Sequence, residues 1–272
     1  MYDEPRSLWL QGFVMSYQLR RTLIIVGVFA ACAAQAQIAL PEHIYYKFNE
    51  GNGTTTANLA SPGSGAASGT LSGGLTLGGS GSEGGALLGS STLGHVSTGW
   101  DTNLGSSSWS IAFWLSPLVT ATTQLNYLFG DFSAGTLRCF TGGVAGAQGV
   151  ILRGPVSDNL ISGLSLTEKN HIAYVYDSTA GEVKGYLNGV LSTTTNQSAI
   201  NLLGSELLVG NYRTTTQSVG VDRWMDEFMV FGRALDASGV NDAMNLNVVP
   251  EPATMTLLAL GALAARRRRK NS

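Results

Sequence analysis

The stretch His171-Ile-Ala-Tyr-Val-Tyr-Asp177, then Val183-Lys-Gly-Tyr-Leu187, Asn188-Gly189 and Val190 to Thr195, decides the fold. In the first run Ile172, Tyr174 and Tyr176 alternate against Ala173 and Val175. That is the period of a strand whose two faces meet different surroundings. Ser178 to Glu182 is polar and contains Gly181, so the chain turns there. Asn188-Gly189 is the strongest two-residue hairpin signal, because both positions tolerate positive φ. The three runs predict an antiparallel meander.

Working outward, the same period recurs. Trp109, Ile111, Phe113 and Leu115 fall on one face, with Ser110, Ala112, Trp114 and Ser116 on the other, until Pro117 ends the run. Leu125 to Gly130, Leu137 to Phe140 and Gly149 to Leu152 read as further short strands. A spacing of about 8–12 residues with Gly between is the signature of a sandwich or barrel. Ile44 to Phe48 is a first strand, turned by Asn49 to Gly53. Ser61 to Gly94 is rich in Gly and Ser, but its apolar pairs Leu75/Leu77 and Leu87/Leu88 favour short strands and wide loops over a flexible linker. Glu206 to Gly210 and Arg223 to Phe231 are the last strands, and Arg233 to Asn245 is a turn or short helix.

Composition agrees. The chain carries 35 glycines and only 12% charged residues, which suits a turn-rich β domain. Between Gln37 and Ala253 there are 8 Lys and Arg against 16 Asp and Glu, a net −8. So acidic a middle repels phosphate backbones and argues against nucleic-acid binding. Cys32 falls in the leader described next, which leaves Cys139 alone in the mature chain, so no internal disulfide is expected.

Both ends read as addresses. Met15 is the expected start of an export leader, with Arg20-Arg21 as its positive region, Leu23 to Ala33 as its apolar region, and Ala34-Gln35-Ala36 as an A-x-A cleavage pattern cut after Ala36. A transmembrane anchor would need about 20 apolar residues, more than this run has. Phe29-Ala30-Ala31 before Cys32 is a poor lipoprotein signal. At the other end come Pro250-Glu251-Pro252, the apolar run Thr254 to Ala265, and Arg266 to Lys270. The apolar run is short for a stable anchor, and its five cations hold the C-terminus on the cytoplasmic side. The expected organisation is a leader over 1–36, a domain over 37–247 and a sorting tail with an apolar helix over 248–272.

Lys169-Asn-His-Ile-Ala-Tyr-Val-Tyr-Asp177 with Gly185 to Val190 resembles the central meander of the laminin-G-like, concanavalin A-like jelly rolls. Met225-Asp-Glu-Phe-Met-Val-Phe-Gly-Arg-Ala-Leu235 resembles that family's closing strand, Trp109 to Leu115 the strand opening its core, and Tyr46 to Glu50 its first strand. The resemblance covers about Ile44 to Asn245 and implies an all-β fold of two antiparallel sheets packed face to face. The tail resembles a PEP-CTERM sorting signal. That implies processing by a membrane protease, an exosortase, in Gram-negative bacteria that make extracellular polysaccharide. It also implies transient membrane insertion through the tail, and delivery to the cell envelope or extracellular matrix. A permanent tail anchor is the alternative.

Catalytic signals are sparse. A glycosidase needs two carboxylates about 5 Å or about 6.5–9.5 Å apart across a bond. The jelly-roll glucanases similar to this fold carry Glu-x-Asp-x-x-Glu on one strand, a pattern missing here; the nearest acids are Asp222, Asp226 and Glu227. Adjacent residues of a strand point to opposite faces, so Asp226 and Glu227 are not expected to act as a pair. Asp226 reads instead as an acceptor of turn or backbone hydrogen bonds. His43, His95 and His171 are scattered without zinc spacing, and His171 reads as a packed or edge histidine. No Gly-x-Ser-x-Gly elbow is present.

Laminin-G-like domains often hold one Ca²⁺ at the sandwich edge, and the resemblance makes Asp131 and Asp222 candidate metal ligands. Trp100 and Tyr212 are candidate sugar-stacking rings, with core packing or loop anchoring as the plainer role. The reading is a non-catalytic surface module that binds extracellular polysaccharide or surface glycan, or mediates adhesion. A carbohydrate-active enzyme and a purely structural matrix protein are its rivals.

Overall fold

A computed structural model describes residues 38–90, 93–102, 104–105, 107–118, 124–131, 137–142, 149–197, 205–213, 217–246 and 248–249. The leader, its cut after Ala36, and the sorting residues Pro250, Glu251 and Pro252 with their apolar helix lie outside these residues.

The strands are β1 (Ile38–Ala39), β2 (Ile44–Tyr46), β3 (Thr55–Ala57), β4 (Ser68–Gly73), β5 (Thr76–Gly78), β6 (Ala86–Leu88), β7 (Gly94–Asp101), β8 (Trp109–Leu115), β9 (Asn126–Asp131) and β10 (Arg138–Thr141). There follow β11 (Gly149–Arg153), β12 (Asp158–Ser162), β13 (Asn170–Asp177), β14 (Glu182–Leu187), β15 (Val190–Asn196), β16 (Glu206–Val209), β17 (Trp224–Phe231), helix α1 (Ala237–Met244) and β18 (Val248–Val249). The first sheet runs β12-β11-β10-β9-β16-β7-β4-β3. The second runs β15-β14-β13-β8-β17-β6-β5, with β2 also on β17. Pairing in both is antiparallel, and the jelly-roll sandwich expected from the sequence is what forms. Apart from them, β1 and β18 pair in parallel.

The predicted meander is β13-β14-β15. Its Asn188-Gly189 turn has both residues at positive φ, 50° and 79°, which matches the right-handed twist of the flanking strands. Alternation puts Ile172, Tyr174, Tyr176, Trp109, Ile111, Phe113 and Leu115 between the sheets. Phe113, Phe129 and Phe228 meet there, with ring centroids 5.5–6.2 Å apart. Removing one such ring would cost about 3–5 kcal/mol. Across the core the Tyr174 hydroxyl donates to the carbonyl of Val150 at 2.8 Å, so the buried phenol is satisfied.

The outer face of the second sheet is covered by α1. Asp236 caps the helix by accepting from the Gly239 amide at 2.7 Å, and Val240 and Ala243 pack with Ala112, Ala173, Val175, Met229 and Phe231. The open edge between sheets is stitched by Asn159 of β12, whose Nδ2 donates to the Val183 carbonyl and to Thr195 Oγ1, both at 2.9 Å.

Five strands escape the sequence reading, among them β1 and β3, which are only two and three residues long. β7 has Val96 as its only buried aliphatic residue, and its next inward position is Thr98, whose hydroxyl donates to the Leu207 carbonyl. β12 is a short edge strand with polar ends. β18 occupies Val248–Val249, which sequence alone assigns to the sorting tail.

Candidate functional site

The acidic pair sits at a break in the second sheet. One edge of β17 is shared by β6, opposite Trp224–Met225, and by β2, opposite Phe228–Val230. Asp226 and Glu227 fall in the gap between those partners. The ladder to β8 shifts register between Asp226 and Met229, and Glu227 adopts φ 51°. This bulge overturns the expectation that the two acids face opposite ways. Met225 and Phe228 both enter the core, and the two residues between them lie on the outer side.

Each acid is already engaged. Asp226 Oδ2 accepts from the amides of Ser82 and Glu83 at 2.7 and 3.1 Å, and its Oδ1 accepts from the Glu227 amide at 2.9 Å. This is the backbone-acceptor role read from sequence. Glu227 Oε2 accepts from the Tyr45 hydroxyl at 2.7 Å, while Oε1 has no partner among the described residues. Burial pushes the Glu227 carboxyl up to about 7; the Tyr45 hydrogen bond and Lys47 oppose the shift and Asp226 adds to it. Burial also raises Asp226, against its backbone hydrogen bonds. Both side chains are at most 1% exposed, so neither reaches a substrate from solvent.

The two candidate calcium ligands are not brought together. Asp131 ends β9 and is fully buried, where Thr102 Oγ1 donates to it at 3.4 Å. Asp222 lies in the exposed turn after Gly220, which abuts Asn126 at the opposite end of β9. Six residues of strand separate the two ends by about 17 Å. They do not fit a single Ca²⁺ ion. Among the described residues no group of three or more His, Cys, Asp or Glu is placed to hold a metal.

His171 and His43 pack against tryptophans, while His95 Nε2 meets Ser72 Oγ at 3.1 Å. His171 is buried edge-on against Trp114, with centroids 5.2 Å apart, and burial pushes its pKa down to about 3. His43 stacks on Trp100 at 4.6 Å, which makes Trp100 a loop anchor.

The outer face of the first sheet is different in kind. Tyr127, Phe140, Ile151 and Tyr212 form a separate apolar cluster there. Register explains it: the ladder between β9 and β10 shifts between Cys139 and Phe140, so Cys139 meets Phe129 inside while Phe140 meets Tyr127 outside. Gly130 permits the layer, because a Cβ there would stand 2.6 Å from Tyr212 Cβ and 2.5 Å from the Leu137 carbonyl. The rings are capped by arginines. Arg138 and Arg213 lie 5.2 and 4.4 Å from the Tyr212 ring centre, and Arg153 lies 5.2 Å from Phe140. Arg153 also donates to both oxygens of Asp158, at 2.9 and 2.8 Å. On the inner side of β10, Arg223 Nη1 donates to Thr141 Oγ1 at 3.0 Å.

Tyr212 is therefore not a free stacking platform. It is 3% exposed, and what the surface presents is guanidinium laid on aromatic rings. Sequence alone marks Tyr212 but misses the arginines. They are scattered between positions 138 and 213, and only the sheet gathers them.

Comparison with known proteins agrees with the fold. The family described as the concanavalin A-like lectin/glucanases superfamily matches residues 90–241, and the PEP-CTERM protein-sorting motif matches residues 248–270. The chain thus carries a sorting address for export to the surface or beyond. No curated protein matches it. One similar solved structure is domain 4 of AbnA, a GH43 extracellular arabinanase from Geobacillus stearothermophilus, in complex with arabinotriose. It is 18% identical with TM-score 0.55, over 76% of this chain and 98% of that one. Another is the binding domain of Botulinum neurotoxin DC in complex with rat synaptotagmin II, 13% identical with TM-score 0.51, over 75% of this chain and 51% of that one. A third is the binding domain of Paraclostridial Mosquitocidal Protein 1, 14% identical with TM-score 0.50, over 72% of this chain. The chain spans about half, 52%, of that last structure.

Proposed function

The chain belongs to the concanavalin A-like lectin/glucanases superfamily, and from that premise we propose that its sandwich binds carbohydrate without cleaving it. The protein works at the cell envelope or in the extracellular matrix of a Gram-negative bacterium. An exosortase-type protease processes the tail after transient insertion in the membrane, and the partner of the domain is extracellular polysaccharide or a surface glycan. The observation that carries the reading is the arginine-capped aromatic layer on the outer face of β9, β10 and β11. Arginine forks donate hydrogen bonds to sugar oxygens, and the rings beneath hold them in place.

A non-catalytic role is supported by the state of the acids. Asp226 is taken up by backbone amides, Glu227 is buried beneath Tyr45, and the bulge turns both away from the core. The likeness to a domain solved with arabinotriose, and to binding domains of larger toxins, points the same way. The test is a glycan array probed with the full chain in mild detergent, with and without EDTA. Retention on a defined set of glycans supports the reading. Binding to no glycan overturns it in favour of a structural matrix role. Release of shortened sugars would overturn the non-catalytic part, and loss of binding with EDTA would restore a cation to the site.

A further inference from the structure

We propose that the arginine-capped face selects acidic polysaccharides, recognising the carboxylate of uronic-acid units. The inference rests on the glycan-binding reading above and names the ligand class of the same face.

The domain is strongly acidic, yet three of its 8 cations, Arg138, Arg153 and Arg213, collect on this face. All three are arginines, while the lysines, Lys47, Lys169 and Lys184, lie on the second sheet or on segments next to it. A planar fork matches a carboxylate with two parallel hydrogen bonds, which an ammonium cannot do. A neutral sugar can accept single hydrogen bonds from either kind of cation, whereas a carboxylate uses the whole fork.

Three features make the cluster a recognition surface and not a set of surface charges. The guanidiniums of Arg138 and Arg213 both lie against Tyr212, so their orientation is fixed before any ligand arrives. Arg138 Nε is buried and has no hydrogen-bond partner among the described residues, so at that atom the guanidinium is not spent on an internal acceptor. Arg153 already shows the geometry, since its Nε and Nη2 grip Asp158 across the β11–β12 ladder. Asp158 stands where a ligand carboxylate would stand. Among the described residues, Asp158 is paired with Arg153, Asp131 is buried at the end of β9 beside Thr102, and Glu206 on neighbouring β16 is held by Ser97 and the Gly99 amide.

The experiment compares polygalacturonate with the same polymer fully methyl-esterified, by retardation of the full chain in affinity electrophoresis. The backbone and linkage are identical and only the charge differs. Polygalacturonate is expected to bind about tenfold tighter, the worth of a charge-assisted hydrogen bond, with the difference shrinking as salt is raised. R138Q/R213Q is expected to abolish that difference while near-ultraviolet circular dichroism stays native. Unchanged preference in the folded variant overturns the site. Should the variant not fold, D158N reads the same face from the other side. It frees Arg153 and is expected to tighten polygalacturonate binding, and unchanged binding overturns the proposal. Equal binding of both polymers overturns acid selection but leaves glycan binding standing. Binding of neither, together with an empty glycan array, removes both.

Discussion

The Tyr45 hydroxyl donates to Glu227 Oε2 at 2.7 Å, and so ties the first strand of the second sheet to the bulge in its last. Burial lifts this carboxyl from 4.5 to about 7. Between those values the folded chain keeps a proton that the unfolded chain has lost. The stability this group contributes is full below about pH 4.5 and drains as pH rises through about 7. E227Q keeps an acceptor for Tyr45 and removes the titration. The stability of E227Q relative to the parent is expected to rise by on the order of 2 kcal/mol from about pH 4.5 to about pH 8. Urea unfolding midpoints at the two pH values check it, and a flat difference would sink the assignment.

Asp226 is a structural acceptor, so its removal should be felt in folding. D226A leaves three backbone amides without their acceptor at the gap between β6 and β2. A loss of about 3 kcal/mol is expected, with D226N milder because its remaining oxygen still accepts. Glycan binding by the folded fraction should not change. A D226N protein of unaltered stability that had lost activity on a polysaccharide would instead support the enzyme reading.

Gly130 links the sheet to the arginine face. Alanine there would drive a methyl carbon into Tyr212 and the Leu137 carbonyl. Carbonyl oxygens of a ladder do not move aside, so Tyr212 must shift and carry the stacked guanidiniums with it. G130A is expected to destabilise by about 1–3 kcal/mol and to weaken polygalacturonate binding severalfold. Thermal denaturation and affinity electrophoresis on one preparation separate the two effects.

Cys139 faces the core from β10 with no exposed area, and burial raises its thiol well above the ordinary range. Thiolate is the reactive form, so the native chain should resist maleimide at this position. Labelling located by peptide mass should appear at Cys139 only after denaturant is added. Rapid modification of the native protein would contradict the packing of β9 against β10.

Much of this architecture was written in the alternation of single strands. Trp109 to Leu115 and His171 to Asp177 announce themselves because each buries large side chains on one face. β7 does not, since Thr98 stands at an inward position and is satisfied by a carbonyl of β16, a partner more than a hundred residues away. The bulge at Asp226–Glu227 is equally silent. It depends on where β6 ends and β2 begins along β17, and strand alternation assumed from sequence sent the two acids to opposite faces. The arginine face was hidden for the same reason. Nothing local connects Arg138, Arg153 and Arg213 until the β9–β10–β11 register and the approach over Gly130 place them on common rings.

The parallel pair β1–β18 has a mechanical meaning. Ile38 is matched with Val248 and Ala39 with Val249, and the sorting residues begin immediately after. A pull on the chain beyond Val249 meets this two-residue ladder first and helix α1 next. Only when both have yielded does the force reach β17 and the sandwich. A load applied at the C-terminus would therefore lengthen this stem before the arginine-capped face of β9, β10 and β11 was deformed.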